Sequence, residues 1–452
     1  MTERLLVIGG DAAGMSAASQ ARRRRDASDL EIVAYERSNW VSYSACGEPY
    51  HIAGDVEPIE RLVARTPERF GEMDIEVHTG HEVVELDLDH RTARVHDRRS
   101  GTTFTTGFDQ VVVATGAKAS RGGIAGADLH GVWELRTLDE ASALRDIAAS
   151  GTGNAVIVGG GYIGLEAAEA FLRRGWNVTV LTSGASVLER TVDPDIGDWI
   201  VESMAERGIR VDTGVRVRCI NGTAHVVSVG CDHDTIPADV VVLGLGSVPE
   251  VALAEQAGIP LGSTGAIAVD DRQRTSVDGV WSAGDCAEVR HRVSGRQVNI
   301  HLGTVANKTG RVAGINIGGG DARFPGALGT AITKVCDMEI AATGLKREVA
   351  RDLGFDAVEG TARGTTAAGY WPSTSPMRIR VVAERGSTRI LGAQVVGGPG
   401  AAKRIDVFAT ALWSQMTASD LSWTDLAYAP PFSGVWDLVH IAAREAAEAA
   451  RG

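Results

Sequence analysis

Two glycine-rich loops and one thiol are the parts of this sequence that could do chemistry. The loops are Gly9-Gly10-Asp11-Ala12-Ala13-Gly14 and Gly159-Gly160-Gly161-Tyr162-Ile163-Gly164. Each follows a short, continuous apolar run, Leu5–Ile8 or Ala155–Val158, and each enters a helical stretch. A helix N-terminus presents free N–H groups and the positive end of its dipole, and glycines let the backbone approach a phosphate closely. Two dinucleotide sites are therefore expected. Gly9, Ala13 and Gly14 would serve the first, and Gly159, Gly161, Tyr162, Ile163 and Gly164 the second. Asp11 holds the place of the middle glycine in the first loop, whereas the second loop fits GxGxxG fully. The thiol is Cys46, in Val41-Ser42-Tyr43-Ser44-Ala45-Cys46-Gly47-Glu48-Pro49-Tyr50, close behind the first unit. The chain has five cysteines and no CxxC pair, so any cysteine chemistry rests on a single thiol.

The elements that must position these residues read as two β-α-β units. Helices are expected from about Met15 to Arg24 and over Leu165–Arg174. Strands follow at Glu31–Glu36 and Asn177–Leu181. Glu36 ends its strand 22 residues after Gly14, where a carboxylate accepts hydrogen bonds from a ribose. The second unit ends on Leu181-Thr182-Ser183, so Thr182 meets its ribose without an acid. That removes a preference for NADH. With no arginine immediately alongside, it leaves a slight lean to NADPH. Each unit closes on an apolar strand that ends in glycine, one reaching Ala114-Thr115-Gly116 and the other Gly244-Leu245-Gly246. After about residue 325 the texture changes. Strand-like runs at Arg378–Val382 and Ile390–Val396 precede helices near Ala401–Gln415 and Trp436–Ala450, which reads as a separate α+β domain.

The bulk numbers agree with an enzyme of small molecules. The 452 residues suffice for two or three domains, with 44% hydrophobic and 23% charged content. A net charge of −13 disfavours nucleic acid and anionic membrane as partners. The basic run Arg22–Arg25 is expected to be a solvated helix end. No apolar stretch reaches the roughly 20 residues needed to cross a bilayer. The N-terminus has no signal-peptide pattern, so a cytoplasmic location is expected. No metal site is expected.

On these segments the chain resembles the single-cysteine branch of the pyridine nucleotide-disulfide oxidoreductases. That branch includes coenzyme A disulfide reductases, persulfide reductases, and NADH oxidases and peroxidases. Further matching segments are Ser282–Glu288 (SAGDCAE), Val305–Arg311 (VANKTGR), Leu328–Val335 (LGTAITKV) and Leu426–Ser433 (LAYAPPFS). The resemblance implies an α/β fold with an FAD domain (1–118 and 247–325), an inserted NAD(P) domain (119–246) and a C-terminal dimerisation domain (326–452). It implies a homodimer that moves reducing equivalents from NAD(P)H through FAD to a disulfide or persulfide at Cys46. Glu36, Ser42, Val83, Ala114, Thr115, Gly116, Asp285 and Ala306 would contact FAD. Tyr162, Ile163, Glu166, Thr182 and Gly246 would line the nicotinamide site. Gln20, Arg23, Ser42 and Asn307 would meet the substrate. Tyr370 and Tyr428 would supply protons, with Tyr428 reaching the other subunit's site. A helix start or the flavin would stabilise the Cys46 thiolate.

Departures from the pattern narrow the activity. Ala12 stands where oxygen- and peroxide-reducing members carry a histidine. Lysines that hold the nucleotide end of coenzyme A are missing, so the substrate thiol stays open. Oxygen reduction, or a role as an electron donor or redox sensor, are the alternatives.

Overall fold

Residues 2–232 and 234–452 are described by the computed structural model. The apolar run of strand β1 (Glu3–Ile8) is buried and pairs in parallel with β2 (Leu30–Glu36) on one side and Gln110–Val113 on the other. Ile75–Thr79 and Val280–Ser282 complete a five-stranded parallel sheet. Strands covered on both faces need no polar alternation, which is why Leu5–Ile8 and Val111–Val113 read as unbroken apolar runs. Helix α1 (Ala12–Arg22) follows β1 directly. It begins three residues earlier than the sequence indicates, because the glycine loop leads straight into the helix.

The second unit repeats this order. Strand β3 (Asn154–Val158), helix α2 (Tyr162–Arg173) and strand β4 (Asn177–Leu181) join Ile209–Asp212, Val240–Leu243 and Val132–Trp133 in another parallel sheet. The two passages of chain between the units, Ala117–Ala119 and Ser247–Pro249, pair antiparallel with each other. Helix α3 (Gly303–Ile317) packs along α1. The approach is close: a Cβ on Gly310 would fall 2.1 Å from the Ala13 carbonyl oxygen, and one on Gly314 would fall 2.1 Å from that of Ala17.

The C-terminal region is a five-stranded antiparallel sheet in the order Ala331–Val335, Met338–Gly344, Ile390–Gly397, Pro376–Glu384, Ala357–Thr365. Helix Leu438–Arg451 covers its last two strands. It starts two residues later than expected because Asp437 caps it, accepting from Val439 N at 2.9 Å. The stretch expected as one helix near Ala401–Gln415 is a 3₁₀ turn (Ala402–Arg404) leading into a helix at Ile405–Trp413. This sheet docks on the second unit: Val335, Ile340 and Val396 share a core with Ile157, Phe171 and Ile200. Arg380 reaches across to Asp193 and Asp195. The sequence did not indicate the antiparallel strands at His81–Asp87, Thr92–Asp97 and Thr103–Gly107.

The basic run is less solvated than expected. Arg22 donates to the carbonyls of Leu30 (2.7 Å) and Asp74 (2.9 Å), and Arg25 pairs with Glu3 and Asp29, leaving only Arg23 and Arg24 exposed. Among the described residues no helix is long and apolar enough to cross a membrane.

Candidate active site

The first cleft forms where β1 turns into α1. Gly9 sits at φ +107°, and a Cβ on Gly14 would lie 2.0 Å from the Gly9 carbonyl oxygen. Only glycine allows both the turn and this contact. Asp11, at the N-cap, makes no side-chain capping bond, and its carboxylate instead accepts from Tyr43 N at 3.1 Å. The Glu36 carboxylate accepts from Gly10 N (2.8 Å) and Ser38 N (2.7 Å), which fixes it at the strand end beside the loop. Ala114, Thr115 and Gly116 follow the neighbouring strand, and Thr115 donates to the Glu250 carbonyl at 2.6 Å.

Carboxyl groups crowd this cleft. Burial pushes Asp11 up to about 6, and Glu36 and Asp285 add to the rise. Burial also raises Asp285, against the pull of His301 and Arg136. His301 itself is lowered by burial; it bonds Ser247 Oγ and Asn299 Oδ1, each at 2.5 Å. Ala13, Ala283 and Ala306 form a small buried cluster beside these groups. An uncapped helix start, a fixed strand-end carboxylate and walls of small residues suit the pyrophosphate and ribose of FAD. Val83 differs: its side chain is buried in the core with Ile8, Val33 and Val95, and its strand pairs it with Val95, so its side chain is not presented to the cleft.

Cys46 lies in a single 3₁₀ turn (Ala45–Gly47) ahead of helix Glu48–Ala53. Ser44 N bonds the Leu62 carbonyl and Ala64 N bonds that of Ser42, which hold the segment against residues 62–64. The following helix packs on the second unit. Ile52 joins that unit's core, and Arg174 Nε donates to the Ile52 carbonyl at 3.0 Å. Arg173 pairs with Asp55, and Arg145 with Glu57. The thiol therefore stands between the two units. Its pKa is raised, first by partial burial, then by Glu166 and Glu48, with Asp11 adding less. The expected stabilisation of the thiolate by a helix start or the flavin therefore has to act against these carboxyl groups. The helix that follows has six residues.

The second cleft has the same backbone form. Gly159 is at φ +121°, a Cβ on Gly164 would fall 2.1 Å from the Gly159 carbonyl oxygen, and α2 begins at Tyr162 after Gly161, an N-cap with no side chain. Tyr162 is pushed up by burial. Glu166 is raised by burial and accepts from Thr333 Oγ1 at 2.6 Å. Thr182 is buried at the end of β4, and Gly246 follows the neighbouring strand at φ +85°. Ile163 is half-buried on the first turn of α2.

The remaining expected residues fall in two places. Gln20 is buried, its side chain engaged by Arg24 (2.9 Å), while Arg23 is exposed. Asn307 is exposed on α3 and bonded to Ser16 at 2.9 Å. Ser42 is half-buried beside Cys46's turn. Tyr370 and Tyr428 lie together in the C-terminal region, where the Tyr370 hydroxyl raises that of Tyr428. Neither is among the neighbours that act most strongly on Cys46. They belong instead to an exposed apolar group with Trp423 (81% exposed), Phe432 (73%), Val435 and Trp436. A patch of that kind marks a contact surface.

Sequence reasoning missed Glu48, Arg136 and His301. Glu48 is buried, with one carboxyl oxygen lacking a hydrogen-bond partner; burial, with Glu140 adding, pushes it up to about 8. Its position two residues after the singled-out cysteine was the available signal. Arg136 precedes Thr137 and Glu140, whose capping box (Thr-x-x-Glu) was legible. His301 had no local signal.

Known proteins agree with this arrangement. The pyridine nucleotide-disulphide oxidoreductase model matches residues 3–310, and the dimerisation domain of the same family matches residues 330–439. The chain is 38% identical over 446 residues to an NAD(P)H coenzyme A polysulfide/persulfide reductase of Pyrococcus horikoshii, covering 98% of each. It is 33% identical to an NADH oxidase of Methanocaldococcus jannaschii, again over 98% of each. A solved structure, the NAD-dependent persulfide reductase from A. fulgidus, superposes with a TM-score of 0.94 at 36% identity, covering 98% of this chain and 83% of that one. Two parallel nucleotide units, a thiol segment packed between them and a C-terminal sheet domain thus make this chain a member of the FAD-dependent, NAD(P)H-linked pyridine nucleotide-disulphide oxidoreductase family.

Proposed function

We propose that this protein reduces a small-molecule disulfide or persulfide with NAD(P)H, working through Cys46. One observation carries the reading: the Cys46 segment is held by both nucleotide units, through Ser42 N on the Gly10 carbonyl of the first and Ile52 in the core of the second. Gly9, Ala13, Gly14, Glu36, Ser42, Thr115, Asp285 and Ala306 would hold FAD. Gly159, Gly161, Gly164, Tyr162, Glu166 and Thr182 would hold the nicotinamide dinucleotide. Bound FAD supplies a two-electron relay from the nicotinamide.

The protein's own part is thiol chemistry. The Cys46 thiolate attacks one sulfur of the substrate disulfide, a Cys46–S–S–R bond forms, and RS⁻ leaves. Two electrons then cleave that bond and release the second thiol. Tyr370 and Tyr428, given by the partner copy of a homodimer, supply the protons. The persulfide reductases among the relatives support this substrate class. All five cysteines are free, as suits a cytoplasmic protein. The NADH oxidase relative favours a second reading, oxygen reduction; Ala12, where a histidine would assist, weighs against it.

Cys46→Ser should keep bound FAD and lose thiol-dependent turnover by more than about a hundredfold. Unchanged turnover sinks the mechanism. Intact mass, measured before and after NAD(P)H without added reductant, should show a removable adduct on Cys46. A bare thiol or an added oxygen would favour oxygen reduction.

A further inference from the structure

The two nucleotide units share more than their glycine loops. Beyond β2 the chain returns to the first loop, and Ser42 N donates to the Gly10 carbonyl at 2.9 Å. Beyond β4 it returns to the second loop, and Leu188 N donates to the Gly160 carbonyl at 2.8 Å. Ser42 and Leu188 both lie in the left-handed region, at φ +47° and +51°, which non-glycine residues seldom enter. Val41 covers Gly10 as Val187 covers Gly160: added Cβ atoms would meet their Cγ1 atoms at 2.9 and 3.2 Å. Two residues past the strand ends, Ser38 N bonds Glu36 Oε1 (2.7 Å), and Gly184 N bonds Thr182 Oγ1 (3.3 Å). Glu36 and Thr182 therefore occupy equivalent positions, and the second has lost its carboxylate.

Another carboxylate lies close to that strand end. Glu189, next after Leu188, folds back over Gly184, where an added Cβ would lie 2.4 Å from Glu189 Oε2. Its carboxylate is exposed and makes no ion pair or hydrogen bond among the described residues. Its loop is held at the main chain, where Lys346 Nζ bonds the carbonyls of Glu189 and Val192. At the neighbouring strand end Arg210 is already paired with Asp212 (2.7 Å), so that cation is neutralised.

We infer that Glu189 is the ribose-recognising carboxylate of the second unit and makes this protein select NADH over NADPH. The inference rests on the reading that this unit binds the nicotinamide dinucleotide. A carboxylate accepts hydrogen bonds from the 2′- and 3′-hydroxyls of the adenosine ribose. The 2′-phosphate of NADPH has no proton to give there and brings negative charge against Glu189. The lean to NADPH drawn from Thr182 alone is thereby reversed, since the acid missing from the strand end is supplied by the loop that follows it.

The test is calorimetric binding of ADP-ribose and of 2′-phospho-ADP-ribose to the purified holoenzyme, alongside kcat/KM for NADH and NADPH. The wild type should favour the unphosphorylated nucleotide by about tenfold or more, as expected for like charges in contact near a surface. Glu189→Gln should bring the two within about threefold, and Glu189→Arg should invert the order, all with flavin content and melting temperature unchanged. A wild-type preference for the 2′-phosphate, or an unchanged ratio in both variants, overturns the inference alone. Failure of either nucleotide to bind overturns the assignment of the second unit and the inference with it.

Discussion

Gly10 and Gly160 sit at the same turn of the two nucleotide units, yet the chemistry beside them differs. In the first unit the strand-end acid Glu36 bonds the loop directly through Gly10 N. In the second, the Thr182 hydroxyl accepts from Gly184 N in the turn that follows, and a carboxylate, that of Glu189, lies over Gly184. The backbone frame is retained because steric contact fixes it: Gly9 against Ala114, Gly159 against Gly244, and Gly14 and Gly164 against their own loops. Side chains at the strand end are under no such constraint, so ligand preference can change while the turn does not.

The largest effect should separate the units. A methyl group at Gly14 or Gly164 would collide with a backbone carbonyl and cost about 1–3 kcal/mol or more. Gly14→Ala should emerge without bound flavin. Gly164→Ala should keep its flavin yet resist anaerobic reduction by either nicotinamide, and its purification as flavin-free protein would break the distinction. The absorbance of the purified variants reads both.

A middle-sized effect should follow from the strand ends. Glu36→Ala removes the acceptor for two backbone N–H groups and should weaken FAD binding by about 1–3 kcal/mol, roughly tenfold to a hundredfold. Thr182→Ala should shift nicotinamide affinity by no more than about threefold. Equal losses, measured by titration, would mean that the strand ends still do the same job.

The smallest effect concerns the acid-rich first cleft. Glu48 stays protonated in the folded chain up to about 8, whereas the unfolded chain ionises it in the ordinary glutamate range. The unfolded state therefore loses its proton first, and this residue's contribution to stability falls as pH rises across that window. Glu48→Gln should flatten the decline in melting temperature between about pH 5 and pH 8. A slope identical to the wild type would show that Glu48 is not held protonated.

Much of this fold is legible in the chain itself. Leu5–Ile8 and Ala155–Val158 announce parallel strands because burial on both faces leaves no polar alternation. The glycines announce the turns because nothing larger fits, and Cys46 stands out because its segment follows Glu36 closely and resembles that of the single-cysteine oxidoreductases. These are local constraints, written within a few residues of each other. Tertiary structure alone decided that Glu166 comes to act on the Cys46 thiol, that Gly310 and Gly314 press α3 onto α1, and that Tyr370 meets Tyr428. It also decided that the Glu189 carboxylate lies over Gly184, two residues past Thr182. Those contacts join residues whose spacing follows no helix or strand period, so they arise only when separately formed elements pack, and no local pattern can encode them.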